Sequence, residues 1–234
     1  MHKVKADIVD IFSSIQGEGI FLGAKQIFVR FARCNLSCNF CDELNQAQPK
    51  CYTSAELMTE VEALDETKGP HHSISLTGGE PLMYTEFLKI FLKLLKEGKL
   101  RSYLETNGTL PCELRSVIDL VDIVAMDFKL PSSTGGGEYW KEHMEFLEIA
   151  SAKKVFVKAV VTADTTEADI EKAAAIIKKV NGNIPFILQP ATPVKGQEKN
   201  IDNSALLKFI DVWTAHKLDN IRVIPQVHKI LKIK

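Results

Sequence analysis

Three closely spaced cysteines are the part of this sequence with the clearest chemistry. Cys34, Cys38 and Cys41 follow the spacing C-x3-C-x2-C. Thiolates this close together usually bind a soft metal centre. A disulfide does not suit them, because three is an odd number and the chain has the features of a protein from a reducing compartment. We therefore predict a metal centre bound by these three side chains.

Two kinds of metal centre are compatible with this spacing. A structural zinc site could take Cys51 as a fourth ligand, but such sites usually pair two C-x2-C motifs, and the sequence has no second one. Iron–sulfur clusters are held by short cysteine runs, normally with four ligands. Three ligands from one loop would leave one iron open for chemistry. The motif favours an open iron–sulfur cluster, with zinc as the alternative.

The C-x3-C-x2-C spacing resembles the signature of the radical S-adenosylmethionine (SAM) superfamily. In that superfamily, the open iron of a [4Fe-4S] cluster is chelated by the amino and carboxylate groups of SAM. An electron from the reduced cluster then cleaves SAM to methionine and a 5′-deoxyadenosyl radical. The resemblance implies a [4Fe-4S] cluster and SAM as cofactors.

The composition is that of an ordinary globular protein. The chain has 234 residues, 45% hydrophobic and 25% charged, with a net charge of −1. This length suits one domain over residues 1–234. The near-neutral charge predicts no direct binding of nucleic acid, and no apolar segment reaches membrane-spanning length. Because five cysteines occur without a secretion signal, we expect a cytoplasmic protein.

Alternating apolar and amphipathic segments predict the scaffold that positions the cysteines. Six continuously apolar segments are expected to be parallel strands buried on both faces. They cover residues 27–31, 73–77, 101–105, 122–126, 155–161 and 184–189. An extended segment over residues 8–12 precedes them, and a short apolar segment over residues 221–224 follows.

Six helices are predicted to alternate with these strands. Thr53 and Glu56 form a capping box that begins the first helix, and Gly98 ends the second. A third, shorter helix is expected near residues 112–120, and a fourth over about residues 138–150. Apolar residues at helical spacing predict two more, one after the fifth strand and one after the sixth.

Six βα units in series predict an α/β fold. Joined by right-handed crossovers, they form a parallel sheet that curls. Eight units would close a barrel, so six predict an open, partial (βα)6 TIM-like barrel of the radical SAM type, with N- and C-terminal extensions. A doubly wound sheet is the weaker alternative, because no Gly-x-Gly-x-x-Gly follows the first strand.

Polar motifs follow five of the predicted strands. They cover residues 33–43, 77–81, 105–108, 127–133 and 189–193. Each motif alone is weak evidence, since a Gly-Gly-Glu-Pro segment is more often a turn than a ligand site. The carboxyl ends of parallel barrel strands are where such folds place their active sites. We therefore expect the five motifs to meet there.

The superfamily resemblance assigns several of these residues to SAM. The segment Gly78-Gly79-Glu80 matches the one that holds the methionine amino group, and adjacent glycines let a ligand approach the backbone. The residues that match positions near the adenine and ribose are Phe40, Asp42, Asp127, Lys129, Gln189 and Thr192. A surface ion pair is the alternative for Asp127 and Lys129.

A narrower resemblance is carried by residues 14–19, Ser-Ile-Gln-Gly-Glu-Gly. A turn explains the glycines but not Gln16 and Glu18, whose donors and acceptors suit a polar heterocycle. This segment is similar to one in the 7-carboxy-7-deazaguanine synthase family, as are residues 28–30, 129–133 and 222–228. That family of carbon–nitrogen lyases converts 6-carboxy-5,6,7,8-tetrahydropterin to 7-carboxy-7-deazaguanine by a radical ring contraction that releases ammonia. The product leads to queuosine-type tRNA bases.

The same resemblance implies a set of substrate contacts. Arg30 suits the pterin carboxylate, because a guanidinium binds carboxylates through two hydrogen bonds. The other residues at matching positions are Ile15, Gln16, Gly17, Glu18, Thr77 and His228. The family's terminal carboxylate also reaches the substrate, which implies a role for Lys234. A surface histidine is the alternative for His228, and a strand-end residue with its charge in solvent is the alternative for Arg30.

One residue departs from the family pattern. The family usually has Thr or Ser two residues after the third cysteine, where the hydroxyl helps to bind Mg²⁺, but this sequence has Glu43. A carboxylate is a hard oxygen ligand, so Glu43 is a candidate Mg²⁺ ligand. It could instead replace the ion or displace the substrate carboxylate.

Two other functions fit parts of the sequence. A glycyl-radical activating enzyme is another small radical SAM type, but residues 15–19 and the C-terminal motif argue against it. A zinc-stabilised binding module would have no catalytic activity. The family resemblance further implies a homodimer that receives its electron from a flavodoxin or ferredoxin. Cys51 and Cys112 have no assigned role beyond ordinary packing.

Overall fold

The computed structural model describes residues 4–41, 48–192 and 201–234. Among these residues, the strands are β1 (Lys5–Ile15), β2 (Lys25–Phe31), β3 (Lys50–Thr53), β4 (Ser73–Gly78), β5 (Ser102–Thr106), β6 (Ile123–Asp127), β7 (Lys154–Val161), β8 (Phe186–Pro190) and β9 (Ile221–Val223). The helices are α1 (Ser54–Lys68), α2 (Thr85–Glu97), α3 (Pro111–Val117), α4 (Pro131–Thr134), α5 (Trp140–Ala150), α6 (Glu167–Asn181), α7 (Asn203–Ala215) and α8 (Val227–Leu231).

The described strands form one sheet in the order β3-β1-β2-β4-β5-β6-β7-β8-β9. From β2 to β9 every neighbouring pair is parallel, whereas β1 pairs antiparallel with both β2 and β3. The sheet therefore has two edges, at β3 and β9, as an open barrel requires. The α/β fold with an open barrel is confirmed, and the six predicted parallel strands lie next to one another in its centre.

The local signals in the sequence explain where the helices begin and end. The hydroxyl of Thr53 accepts a hydrogen bond from Glu56 N, and the Glu56 carboxylate accepts one from Thr53 N, so the predicted capping box is confirmed. Gly98 is the residue that follows α2, as predicted. The helix expected near residues 112–120 is present as α3 followed by a 3-10 turn over Ile118–Leu120.

The sheet is buried on both faces, and this burial holds in place the strands at whose ends the active site is expected. Strands β4, β5 and β6 are almost entirely buried, and one large apolar cluster joins the sheet to the surrounding helices. Apolar burial of this kind is the main favourable contribution to folding. Among the residues that the structure describes, there is no helix with the length and apolarity needed to cross a bilayer.

Candidate active site

A cavity of about 420 Å³ opens at the carboxyl ends of the parallel strands. Side chains from β2, β4, β5, β6, β7 and β8 line it, together with the loop that carries the cysteines. The predicted site residues in its wall are Gln16, Glu18, Arg30, Cys34, Cys38, Phe40, Cys41, Thr77, Gly78, Gly79, Asp127, Lys129, Gln189, Thr192 and His228. The five polar motifs therefore meet at one end of the sheet, where this kind of fold places catalysis.

Backbone hydrogen bonds hold the cysteine loop against the end of β4. Gly79 N donates to Phe31 O at 2.9 Å, and Glu80 N donates to Arg33 O at 2.6 Å. A Cβ on Gly79 would overlap the carbonyl of Arg33, so glycine is what lets the two segments approach. Further along the loop, Asn39 N donates to a backbone carbonyl of α4 at 3.0 Å. The loop is thus fixed at two points.

The three thiols all face the cavity. Cys41 N donates to Cys38 O at 3.1 Å, and Leu36 N donates to Cys34 Sγ at 3.4 Å. Cys51 is exposed on β3, and no three His, Cys, Asp or Glu side chains within the described residues converge closely enough for a single metal ion. A zinc ion needs all its ligands around one point, whereas the cysteines of a cluster bind separate irons. The donor set therefore fits an iron–sulfur cluster better than zinc.

Glu80 lies beneath the cavity rather than in its wall. Its carboxylate is fully buried and accepts hydrogen bonds from Leu82 N (3.1 Å), Asn107 N (2.7 Å) and the hydroxyl of Thr106 (3.0 Å). Burial raises the pKa of Glu80 to about 7. Three protein donors bind this carboxylate, which thereby supports the turn after β5. The contact between Glu80 and SAM stays a prediction.

Asn107 connects that turn to the cysteine loop. Its side-chain oxygen accepts hydrogen bonds from the backbone N (3.0 Å) and hydroxyl (2.6 Å) of Thr109, which directs its NH₂ group to the loop. Nδ2 donates to Asn35 Oδ1 at 2.8 Å and lies 4.0 Å from Cys34 Sγ. Asn107 is therefore placed to act on the thiolate that would bind a cluster, and hydrogen bonds to such sulfurs tune cluster potentials.

Asp127, Lys129 and Gln189 supply polar groups on the cofactor side. Lys129 Nζ donates to Asp127 Oδ2 at 2.8 Å, and the two side chains are only 14% and 11% exposed, so this is not a surface ion pair. Asp127 Oδ1 and Gln189 Oε1 are buried and accept no hydrogen bond from the described residues. Buried polar atoms are normally satisfied, so these two acceptors suit the N–H and O–H groups of an adenosine. The residues present fit SAM.

Gln16 and Thr77 line the cavity, but their polar groups are bound within the protein. Gln16 Nε2 donates to Glu105 Oε1 at 2.9 Å, and Gln16 Oε1 accepts from Glu18 N at 3.0 Å. Glu105 also accepts hydrogen bonds from the hydroxyls of Ser75 (3.1 Å) and Thr77 (2.9 Å). Glu105 therefore organises this wall of the cavity, with its negative charge facing neutral donors.

Glu18 forms a buried ion pair with Lys158 of β7. Gln226 Nε2 donates to the other carboxylate oxygen of Glu18 at 2.9 Å. Burial alone would raise the pKa of Glu18, but the Lys158 cation and the hydrogen bonds lower it to about 2. Glu18 is therefore an anion at neutral pH.

The C-terminal segment packs directly on Gly17. Val227 N donates to Gly17 O at 3.0 Å, and a Cβ on Gly17 would overlap the imidazole of His228. His228 lines the cavity, whereas Gly17 and Ile15 do not. The predicted substrate contacts of Ile15 and Gly17 are thus not seen as cavity contacts. Gly17 instead provides the space in which His228 sits.

Arg30 lines the cavity from β2, with its guanidinium 5.6 Å from the centre of the Phe12 ring. Lys234 does not line the cavity. Its Nζ lies 4.7 Å from the centre of the same ring and pairs with Asp10 Oδ2 at 2.5 Å, and the hydroxyl of Ser14 donates to its backbone carbonyl oxygen. These contacts hold Lys234 against β1, and its contact with the substrate stays a prediction.

Two predictions lie outside the described residues, namely the adenine contact of Asp42 and the Mg²⁺ contact of Glu43. Both remain predictions. Sequence reasoning also assigned no role to several residues of the cavity wall, among them Lys158 and Gln226. A signal for Lys158 was present, because a lysine inside the apolar segment 155–161 must be paired if that strand is buried.

Known proteins share both this sequence and this fold. The sequence profile of the radical SAM superfamily matches residues 28–177. The chain is 38% identical to the 7-carboxy-7-deazaguanine synthase of Geobacter sulfurreducens over 99% of both chains. It is 33% identical to the 7-carboxy-7-deazaguanine synthase of Methanothermobacter thermautotrophicus over 100% of both chains. The crystal structure of QueE from Escherichia coli matches with a TM-score of 0.65 over 96% of this chain and 95% of that chain, at 20% identity, which shows a shared fold.

Proposed function

Because the chain belongs to the radical SAM superfamily and, within it, to the 7-carboxy-7-deazaguanine synthases, we propose that it converts 6-carboxy-5,6,7,8-tetrahydropterin to 7-carboxy-7-deazaguanine with release of ammonia. The observation that carries this proposal is full-length similarity to two synthases. The cavity supports it by bringing the cysteine loop, Glu18 and Arg30 together. The enzyme is a carbon–nitrogen lyase of 7-deazaguanine synthesis, which leads to queuosine-type tRNA bases.

The cofactors of this family are a [4Fe-4S] cluster, SAM and Mg²⁺. Cys34, Cys38 and Cys41 would hold the cluster, since all three line the cavity. Asp127 and Gln189 would bind the adenosine of SAM through their unsatisfied oxygens. The remaining proposed SAM contacts are Phe40, Asp42, Gly78, Gly79, Lys129 and Thr192. Together the bound cluster and SAM supply the radical that starts the ring contraction, and Glu43 is the proposed protein ligand of Mg²⁺.

The substrate would occupy the part of the cavity lined by Glu18, Arg30 and His228. Arg30 would bind the pterin carboxylate, because a guanidinium offers two parallel donors to a carboxylate. Glu18, held as an anion, would accept hydrogen bonds from ring N–H groups, and His228 would complete this wall. Gln16 and Thr77 would also contact the substrate from this wall, where both donate hydrogen bonds to Glu105.

The assembly and partners of the enzyme belong to the same proposal. We expect a homodimer with one domain per chain that receives its electron from a flavodoxin or ferredoxin. We also expect it to act in the cytoplasm, because an oxygen-sensitive cluster persists best in a reducing compartment. Neither nucleic acid nor a membrane is a proposed partner.

An anaerobic turnover assay tests the function. The reconstituted protein, with SAM, Mg²⁺ and a chemical reductant, should convert the carboxytetrahydropterin to equal amounts of 7-carboxy-7-deazaguanine and ammonia. Cys38→Ala, which removes one cluster ligand, should give neither product. Cleavage of SAM without any change in the pterin would contradict the proposed substrate and would favour another radical SAM activity, such as glycyl-radical activation.

A further inference from the structure

Lys158 stands between the two halves of the cavity. Its ammonium group pairs with Glu18 on the substrate side and lies 4.0 Å from Asp127 Oδ2 on the cofactor side. We propose that Lys158 is a positioning residue, which holds the Glu18 carboxylate for the substrate and links that side of the cavity to the cofactor side. This inference rests on the proposed function, because it assumes that Glu18 faces the pterin.

Lys158 is one member of a continuous series of polar contacts. The hydroxyl of Thr192 donates to Gln226 Oε1 at 2.7 Å, and Gln226 Nε2 donates to Glu18 Oε1 at 2.9 Å. Glu18 then pairs with Lys158, which in turn approaches Asp127. The series begins and ends at residues proposed to bind SAM, and Glu18 and Lys158 occupy its centre.

The backbone of Lys158 is held within the sheet. It lies on β7, which pairs with β6 on one side and β8 on the other. The side chains of Lys158 and Glu18 are 12% and 15% exposed. A buried ion pair of this kind is costly to break, because removal of one partner leaves the other charge uncompensated. Lys158 therefore constrains Glu18, which is carried by a loop.

The two carboxylates depend on Lys158 to different degrees. Asp127 has its own cation, since Lys129 Nζ lies 2.8 Å from Asp127 Oδ2. Glu18 directly contacts the Lys158 cation, and it also accepts a hydrogen bond from the neutral amide of Gln226. Loss of the Lys158 charge should consequently disturb Glu18, and hence the substrate, much more than it disturbs SAM.

Lys158→Met tests this asymmetry, with Lys154→Met as a matched control. Lys154 is on the same strand but exposed, and it does not line the cavity. Equilibrium affinities for SAM and for the carboxytetrahydropterin would be measured separately on reconstituted enzyme without reductant. We expect Lys158→Met to weaken pterin binding by at least about thirtyfold and SAM binding by less than about threefold. Turnover should show the loss mainly in KM, and Lys154→Met should match the wild type.

Glu18→Gln completes a double-mutant cycle. If Lys158 acts through Glu18, the effects of Glu18→Gln and Lys158→Met on pterin affinity should be far from additive. The double variant removes both buried charges, so it can replace Lys158→Met in the binding experiment if that single variant does not fold. Its pterin affinity should equal that of Glu18→Gln. Additive effects, or an equal loss of both ligands in Lys158→Met, would overturn the inference.

The outcome for the wild type separates this inference from the proposed function. If the wild-type enzyme neither binds nor converts the carboxytetrahydropterin, the proposed function is wrong. If the wild type binds it and Lys158→Met binds it as tightly, the function stands and the role of Lys158 is wrong.

Discussion

At the scale of single residues, most polar groups in the cavity wall are bound to one another. Gln16 and Thr77 both donate to Glu105, and Glu18 is held by Lys158. Asp127 and Gln189 each retain a buried oxygen without a hydrogen bond among the described residues. The wall is therefore preorganised, with acceptors left for a ligand, and changes to individual residues should affect one ligand rather than both.

The cysteines provide the first prediction at this scale. Replacement of Cys34, Cys38 or Cys41 by Ala should abolish iron–sulfur absorption and SAM cleavage, because each thiolate would bind a separate iron. Cys51→Ala is the matched control, since Cys51 is exposed on β3, and it should keep both. Iron and sulfide analysis with optical and EPR spectra would measure the effect. Loss of metal in Cys51→Ala, together with zinc in the purified protein, would contradict the cluster.

Arg30 provides the second prediction at this scale. Arg30→Ala should weaken pterin binding by about 2–5 kcal/mol, because the pterin carboxylate would lose a bidentate partner. SAM affinity should change little. Arg115, exposed and paired with Glu145 at 3.0 Å, is the matched control, and Arg115→Ala should leave both affinities unchanged. Calorimetric titration with each ligand measures the difference, and an equal loss for both ligands would show that Arg30 is structural.

At the scale of elements, the sequence predicts the parallel part of the sheet well and its edge poorly. Buried parallel strands are continuously apolar, so residues 155–161 predict β7 (Lys154–Val161) to within one residue. The strand β3 (Lys50–Thr53) has no apolar run, and only its antiparallel pairing with β1 defines it. The turn α4 (Pro131–Thr134) was missed because one helical turn is too short to show a period.

The candidate site likewise has features that the sequence predicts and features that it does not. Motifs that follow the strands predict which residues meet, because parallel strands bring their carboxyl ends together. They do not predict which polar groups are already occupied. Glu80 has the sequence context of a ligand residue, yet its carboxylate already accepts hydrogen bonds from Leu82, Thr106 and Asn107. Such hydrogen bonds depend on contacts between segments far apart in the chain.

Docking of α8 on the segment after β1 provides the prediction at this scale. Gly17→Ala would place a methyl group in the imidazole of His228, so the C-terminal helix must move. We expect weaker pterin binding and faster hydrogen exchange at residues 225–231, with SAM affinity nearly unchanged. Gly137→Ala is the matched control, because a Cβ there would make only ordinary contacts with Tyr139. Unchanged exchange in Gly17→Ala would contradict this docking.

At the scale of the whole molecule, three buried groups connect stability to pH in different directions. The folded pKa of Glu18, about 2, is below its usual 4.5, so its contribution is present above pH 4.5 and lost as the pH falls towards 2. The folded pKa of Glu80, about 7, is raised, so its contribution is present below pH 4.5 and lost as the pH rises towards 7. Burial lowers the pKa of His143 to about 3 from 6.5, so protonation in acid favours the unfolded state. Between pH 4.5 and 6.5, Glu80 and His143 oppose each other.

His143→Gln should separate these two contributions. His143 is fully buried, is stacked on Phe128 with ring centres 4.8 Å apart, and has Nε2 3.2 Å from Asn107 O, so it joins α5 to the turns of the active-site end. At pH 5 the unfolded imidazole is protonated while the folded one is neutral, which costs the wild type about 2 kcal/mol relative to pH 7. Glutamine keeps a hydrogen-bond donor and does not titrate. From pH 7 to pH 5, the free energy of unfolding of the wild type should therefore fall by about 2 kcal/mol relative to that of the variant. Anaerobic urea denaturation of both proteins at pH 7 and pH 5 measures the change.

His216→Gln, at the partly exposed end of α7, is the control and should follow the wild type. If His143→Gln loses as much stability between pH 7 and pH 5 as the wild type does, then His143 is not the group that makes this fold sensitive to acid.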